Sequence, residues 1–146
     1  MDEMHTIFID IFKRSIRLIV GLFFAAIGNV LMLHADLGLN PWGVLHQGIS
    51  LNTPLTFGQA NQIIGLLIVI FCMFFKIIPG LGTILNMFFL GAFIDILNQT
   101  KLFITPKYFI IKLLILLLGV VFISLGTCLY MRESLGAGPR DGLMVV

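Results

Sequence analysis

Four long apolar stretches, separated by short polar segments, dominate the pattern of hydrophobic and polar positions along the chain. About 20 apolar residues cross the roughly 30 Å hydrocarbon core of a bilayer as a helix. We predict spanning helices over about residues 15–33, 56–76, 83–97 and 107–131. The pattern therefore predicts an all-α fold, a polytopic integral membrane helix bundle that forms one domain over residues 1–146.

The first and last of these helices share a pattern of glycine and proline. The segment Gly21–Leu45 aligns without a gap to Gly119–Leu143, at an offset of 98 residues. The aligned pairs include Gly21/Gly119, Gly28/Gly126, Gly38/Gly136 and Pro41/Pro139. An apolar helix that breaks at Leu-Gly-x-x-Pro thus occurs twice. Duplicated, interrupted membrane helices are the sequence pattern typical of transporter binding sites.

The number of spans between the two copies predicts their relative orientation. Three spanning segments separate the start of copy one from the start of copy two, and an odd number inverts the second copy. Repeat one covers about residues 15–98, and repeat two, about residues 107–146, lacks counterparts of the second and third helices. We therefore expect that the chain is truncated relative to its own repeat, or that it completes itself as a homo-oligomer.

Local signals predict how the chain resumes after the first break. Asn40 is a good N-cap and Pro41 suits the first helical position, which predicts a short half-helix to about Ile49. Thr56 and Gln59 have the spacing of a capping box and predict the start of the second spanning helix. We expect residues 1–14 to form a separate amphipathic helix at the membrane surface.

Composition supports a membrane location and excludes several classes of partner. Hydrophobic residues make up 59% of the chain, charged residues 11%, and the mean hydropathy is +1.09. No run of Lys or Arg indicates nucleic-acid binding. Lys13, Arg14 and Arg17 precede the first helix, which favours a multi-pass protein of the inner cell membrane with a cytoplasmic N-terminus. Lys101 and Lys107 fall on the predicted outer loop and argue against this orientation.

Three strings in the chain carry a family resemblance: ADLGLNPWGVLHQGIS, PGLGTILNMFFLGAFIDIL and GAGPRDGLM. Over about residues 17–144 the chain resembles the YczE/YitT-like family of bacterial integral membrane proteins. The resemblance implies a polytopic inner-membrane protein whose relatives continue for further helices, and it leaves the activity undefined. It also implies an acidic residue after Pro-Trp, where this chain has Gly43.

The two breaks suggest a ligand site. A half-helix N-terminus exposes backbone N–H groups and the positive end of the helix dipole, which favours an anionic or polar solute. Arg140 could add a bidentate contact to a carboxylate or phosphate. The alternative is an interfacial loop, in which Trp42 anchors at the headgroups and Arg140 pairs with Asp141 or lipid. The candidate ligand-binding residues are Asn40, Trp42, Asn86, Asp95, Arg140 and Asp141.

Other polar residues give weaker signals. Asp95 lies about a turn from a polar loop, so interfacial water is a slightly better explanation of it than a functional acid. Asn86 lies deeper, where hydrogen bonding between helices is the commoner role. His34, Asp36 and His46 lack the spacing of a metal site. We expect no metal, no cofactor and no catalytic residues, and therefore no enzyme.

Two functional hypotheses remain open. The first is a small-solute transporter or permease-like protein with its site at the helix breaks. The alternative is a non-transporting membrane scaffold or accessory protein that binds another membrane protein through its small-residue faces. Gly21, Ala25 and Gly28 form a small-residue stripe that would let the backbone of a neighbouring helix approach closely in either case.

Overall fold

Five α-helices make up the part of the chain that the computed structural model describes, which is residues 2–75, 79–100 and 102–133. They are α1 (Asp2–Ala35), α2 (Pro41–Asn52), α3 (Phe57–Phe74), α4 (Leu81–Gln99) and α5 (Phe109–Arg132). All except α2 are long and apolar enough to cross a membrane. The twelve residues of α2 reach only about 18 Å, too short to span. The predicted all-α polytopic bundle is confirmed.

The first helix is longer than the sequence pattern suggested. Residues 2–14 were expected to form a separate surface helix, but they continue into α1 without interruption. No proline or glycine occurs there to end the helix, so the hydrogen-bond ladder continues. The apolar spanning part of α1 is Ile9–Ala35.

The first predicted break is present. Helix α1 ends at Ala35, and the chain then turns through Asp36 and Gly38, whose φ angles are 53° and 136°. Aspartate and glycine are residues that tolerate this left-handed region. The chain becomes helical again at Pro41, with Asn40 as the N-cap. The second predicted break, at residues 135–139, lies outside the described residues.

The predicted capping box at the start of α3 is also present. The Thr56 hydroxyl accepts a hydrogen bond from the Gln59 backbone N–H at 3.1 Å. The Gln59 side chain in turn accepts from the Thr56 backbone N–H at 3.0 Å. These two bonds satisfy donors that a helix start otherwise leaves free.

Helix α1 occupies the centre of the bundle. It packs against both α5 and α4, while α3 packs on α4 and α2 on α3. One core cluster joins α1, α3 and α4, and a second joins α1, α4 and α5. The fully buried residues of α1 in these clusters are Leu18, Leu22, Ala26 and Val30. Their i, i+4 spacing places them on the face of α1 that meets α4.

Contacts at the helix ends fix the directions of the helices. His34 Nε2 lies 2.9 Å from Asn98 Oδ1, so α1 and α4 end at the same side of the bundle. Arg17, near the start of α1, pairs with Glu133 directly after α5, so α5 runs antiparallel to α1. We call the end with Arg17 and Glu133 the arginine end.

Candidate functional site

Close backbone packing joins α1 to α5. A Cβ atom added to Gly28 would lie 2.6 Å from the carbonyl oxygen of Gly119. One added to Gly126 would lie 2.6 Å from the carbonyl oxygen of Gly21. Side chains larger than hydrogen would therefore force the two helices apart. The predicted role of the small-residue stripe is confirmed, and its partner is α5 of the same chain.

Each of these contacts becomes the other when every residue is replaced by its counterpart in the sequence repeat. Gly21 of copy one meets Gly126, the counterpart of Gly28, while Gly28 meets Gly119, the counterpart of Gly21. Between them Phe24 stacks on Phe122, its own counterpart, with ring centroids 5.8 Å apart and an interplanar angle of 16°. In a two-fold arrangement residue i meets residue j and j meets i. The reciprocal contacts therefore follow the pattern of an approximate two-fold axis between these rings.

Ion pairs close both ends of the α1–α5 pair. At the arginine end, Arg17 donates from Nε and from a terminal nitrogen to the two Glu133 oxygens, at 2.9 and 3.0 Å. At the other end, Lys112 Nζ lies 3.0 Å from Asp36 Oδ2. Arg17 and Asp36 are separated along α1 by about 28 Å, close to the thickness of the hydrocarbon core. The Phe24–Phe122 contact lies between these two ion pairs along α1.

A cavity of about 620 Å³ opens between α1 and α5 at the arginine end. Arg14 and Arg17 lie one turn apart on α1 and therefore share a face. The antiparallel packing brings Arg132 of α5 beside them. The lining residues are Arg14, Arg17, Val20, Leu129, Arg132 and Glu133. Sequence reasoning used Arg14 and Arg17 only as markers of orientation and missed the cavity, because Arg132 and Glu133 come from the far end of the chain.

The predicted residues at the first break form the start of α2. Asn40 accepts a hydrogen bond from the Gly43 N–H at 2.7 Å through its side-chain oxygen. Pro41 has no N–H to offer, and Trp42 is half-buried in the first turn. The cap therefore uses one of the donors on which the predicted anion site depended. Arg140 and Asp141, the charged pair predicted at the second break, lie outside the described residues.

Asp95 holds two helices together. Its carboxylate accepts a hydrogen bond from the Gly58 backbone N–H at 2.8 Å and another from the Thr56 hydroxyl. It therefore binds at the N-terminus of α3, where the helix dipole favours a negative charge. A Cβ atom on Gly58 would lie 2.1 Å from the Gly91 carbonyl oxygen, so the two backbones approach closely beside this contact.

Asn86 is buried within the span of α4. Its residue is 8% exposed, and the structure gives its amide no hydrogen-bond partner among the described residues. An amide carries both donors and an acceptor, so Asn86 can hydrogen-bond to a further polar group within the span. Asn29 of α1 differs, since its amide donates to the Ala25 carbonyl at 2.8 Å.

The remaining polar residues are engaged in the fold. His34 contacts Asn98, and Asp36 pairs with Lys112. His46 is buried with its ring edge on Phe57, at a centroid distance of 5.6 Å. In residues 2–75, 79–100 and 102–133, no group of His, Cys, Asp and Glu side chains is arranged to hold a metal ion.

Comparison with known proteins places the chain in a family. Residues 12–146 match a family of unknown function, DUF6198. The chain belongs to this family. It is 39% identical over 130 residues to the uncharacterized membrane protein YczE of Bacillus subtilis, covering 86% of this chain. The expected YczE-like relationship is thereby confirmed, and with the four apolar helices it establishes a membrane protein in contact with the lipid bilayer.

Two other relatives are similar over most of this chain. An uncharacterized protein of Haemophilus influenzae is 36% identical over 134 residues, or 92% of this chain. The uncharacterized protein YyaS of Bacillus subtilis is 27% identical over 129 residues, or 87% of this chain. The chain spans 61%, 59% and 64% of the lengths of the Haemophilus protein, YczE and YyaS, respectively. No solved structure matches the chain.

Proposed function

We propose that this DUF6198 member is part of a small-solute transporter or permease-like protein of the inner membrane, with its N-terminus in the cytoplasm. The observation that carries the proposal is the approximate two-fold axis through the Phe24–Phe122 contact. Axes of this kind relate the inverted repeats of many secondary transporters, whose substrates bind near the bilayer midplane. The reciprocal glycine contacts support the same relation.

Asn86 is the described residue that we assign to the solute. An amide in an apolar span offers both a donor and an acceptor, and this one is not engaged by the described residues. A small polar or anionic solute would satisfy it. Arg140 and Asp141, assigned from the sequence, would supply the charged contacts of the same solute.

We expect the chain reconstituted in liposomes to take up at least one labelled small anion from a panel of phosphate, sulfate and short carboxylates. Asn86→Leu should lower the initial rate roughly tenfold, because it removes a hydrogen bond to the solute. Asn29→Leu is the matched control and should leave the rate within about twofold, since among the described residues the Asn29 amide bonds to its own helix. Equal rates for the two variants would remove Asn86 from the site.

The inverted arrangement predicts a pattern of side-specific labelling. In a chain with Cys72 and Cys128 replaced, single cysteines at Lys13, Leu37 and Arg132 would be treated with a membrane-impermeant thiol reagent. Lys13→Cys and Arg132→Cys should react from the cytoplasmic face and Leu37→Cys from the opposite face, because α1 and α5 are antiparallel. Reaction of Leu37→Cys and Arg132→Cys from the same face would contradict the inverted repeat.

A scaffold or accessory protein is the second candidate, and the exposure of α5 favours it. Its main contacts are with α1, and its buried residues are Gly119, Gly126 and Tyr130. Gly21 and Gly28 cannot serve a partner protein, because they already pack on α5. A partner would instead meet the exposed side of α5, so Val120→Trp should disrupt a complex without affecting uptake.

A further inference from the structure

The geometry points to a second site, separate from the proposed solute path: the cavity at the arginine end binds a phosphate-type anion, as a free ion or as the headgroup of an anionic lipid. Among the described residues, three guanidinium groups and one carboxylate line the cavity, from Arg14, Arg17, Arg132 and Glu133. Guanidinium groups bind phosphate through paired, charge-assisted hydrogen bonds.

The charges in the cavity are only partly neutralised by the protein. The Glu133 carboxylate is already paired with Arg17, which donates two hydrogen bonds to it. In the described part of the chain, Arg14 and Arg132 form no ion pair with any carboxylate. Asp10 lies one turn before Arg14 but does not line the cavity. Two cationic side chains are therefore left to attract an anion.

The sequence repeat explains why this charge persists at one end of the bundle. Arg14 is the counterpart of Lys112, and Lys112 is neutralised by Asp36 at the opposite end. The counterpart of Asp36 in the second repeat is Ser134, which carries no charge. The approximate symmetry is thus broken in favour of positive charge at the arginine end.

The position of the cavity suits an anion that meets the membrane surface. Arg17 is level with the end of the apolar helix α5, because it pairs with Glu133 directly after that helix. Val20 and Leu129 supply an apolar wall on the membrane side. Such a wall accommodates the start of an acyl chain, while the guanidinium groups reach the phosphate.

The test measures binding to the purified chain by native mass spectrometry, with phosphatidylglycerol and inorganic phosphate as separate ligands and phosphatidylcholine as the lipid control. We expect Arg14→Gln and Arg132→Gln each to weaken binding of the anion roughly tenfold. Lys13→Gln is the matched control, because it removes the same charge beside Arg14 without touching the cavity lining. It should change the affinity by less than about twofold.

The two ligand arms identify the source of the phosphate. Binding of phosphatidylglycerol that excess phosphate does not displace identifies a lipid site, and arginine-dependent binding of phosphate alone identifies a soluble anion. Glu133→Gln gives a test of opposite sign and should tighten binding, since it removes the carboxylate and releases Arg17. Equal losses in Lys13→Gln and Arg14→Gln would overturn the proposal in favour of general surface attraction. These binding readouts are independent of solute uptake.

Discussion

Gly28→Ala is expected to destabilise the bundle, although alanine is the better helix former. The added methyl group would lie 2.6 Å from both the Gly119 carbonyl oxygen and the Ile123 side chain. Relieving these contacts requires α1 and α5 to separate, which typically costs about 1–3 kcal/mol. The gain in helix propensity, up to about 1 kcal/mol, does not offset this cost. Gly119→Ala should act in the same way, because its added methyl group meets Met32 and the Gly28 carbonyl oxygen.

The matched control is Gly48→Ala in α2. A Cβ atom at Gly48 has no heavy atom within 4 Å, so only the propensity gain remains and the variant should be slightly more stable. Stability would be measured in a chain with Cys128 replaced, by heating it with a fluorogenic thiol reagent. The midpoint temperature at which the buried thiol of Cys72 reacts reports unfolding. Equal midpoints for Gly28→Ala and Gly48→Ala would show that α1 and α5 do not pack through these glycines.

Gly28→Ala and Gly48→Ala are expected to change stability in opposite directions. This difference distinguishes a glycine that allows close helix packing from one that only makes its helix more flexible. Glycine in a helix is ordinarily a weakness, since it exposes backbone and loses conformational entropy on folding. At Gly21, Gly28, Gly119 and Gly126 it is instead the condition for backbone contact across the two-fold axis. The apolar side chains of α5 that face away from α1 have no such constraint, and many of them are exposed.

Features that depend on residues close together in the sequence were predictable. The break after Ala35 and the capping box at Thr56 each depend on residues within a few positions of one another, and both are present. The glycine stripe was predictable as an interface because its spacing places small residues on one helix face. The repeat itself required only an internal alignment, and it supplied the partner of each glycine once α5 was found antiparallel to α1.

Features that depend on distant partners were not predictable from the chain alone. Glu133 lies beside Arg132 in the sequence, but its partner is Arg17, 116 positions away. The partners of Asp95, which are Thr56 and Gly58 at the start of another helix, lie 37 and more positions away in the sequence. Nothing in the spacing of these residues indicates which helix faces which. The helix packing decides the partners, and the glycine contacts in turn decide the packing.

Asp95→Ala is expected to produce the second large loss of stability, about 2–4 kcal/mol. It removes two hydrogen bonds to a charged acceptor and leaves the Gly58 N–H without its partner at the start of α3. The loss of stability would be measured with the same assay of Cys72 thiol reactivity on heating. Asp95→Asn should be milder, because the amide oxygen still accepts from Gly58 while the negative charge at the helix N-terminus is lost.

A double-mutant cycle distinguishes this structural role from a functional acid in the membrane. Thr56→Ala removes the hydroxyl that donates to Asp95, so the losses in Thr56→Ala and Asp95→Ala should overlap, with a coupling of about 1 kcal/mol or more. Additive losses would contradict the contact. If Asp95→Asn instead kept full stability and abolished solute uptake, the acid would belong to the transport mechanism. The carboxylate would then be held by α3 in one state and released to the solute path in another.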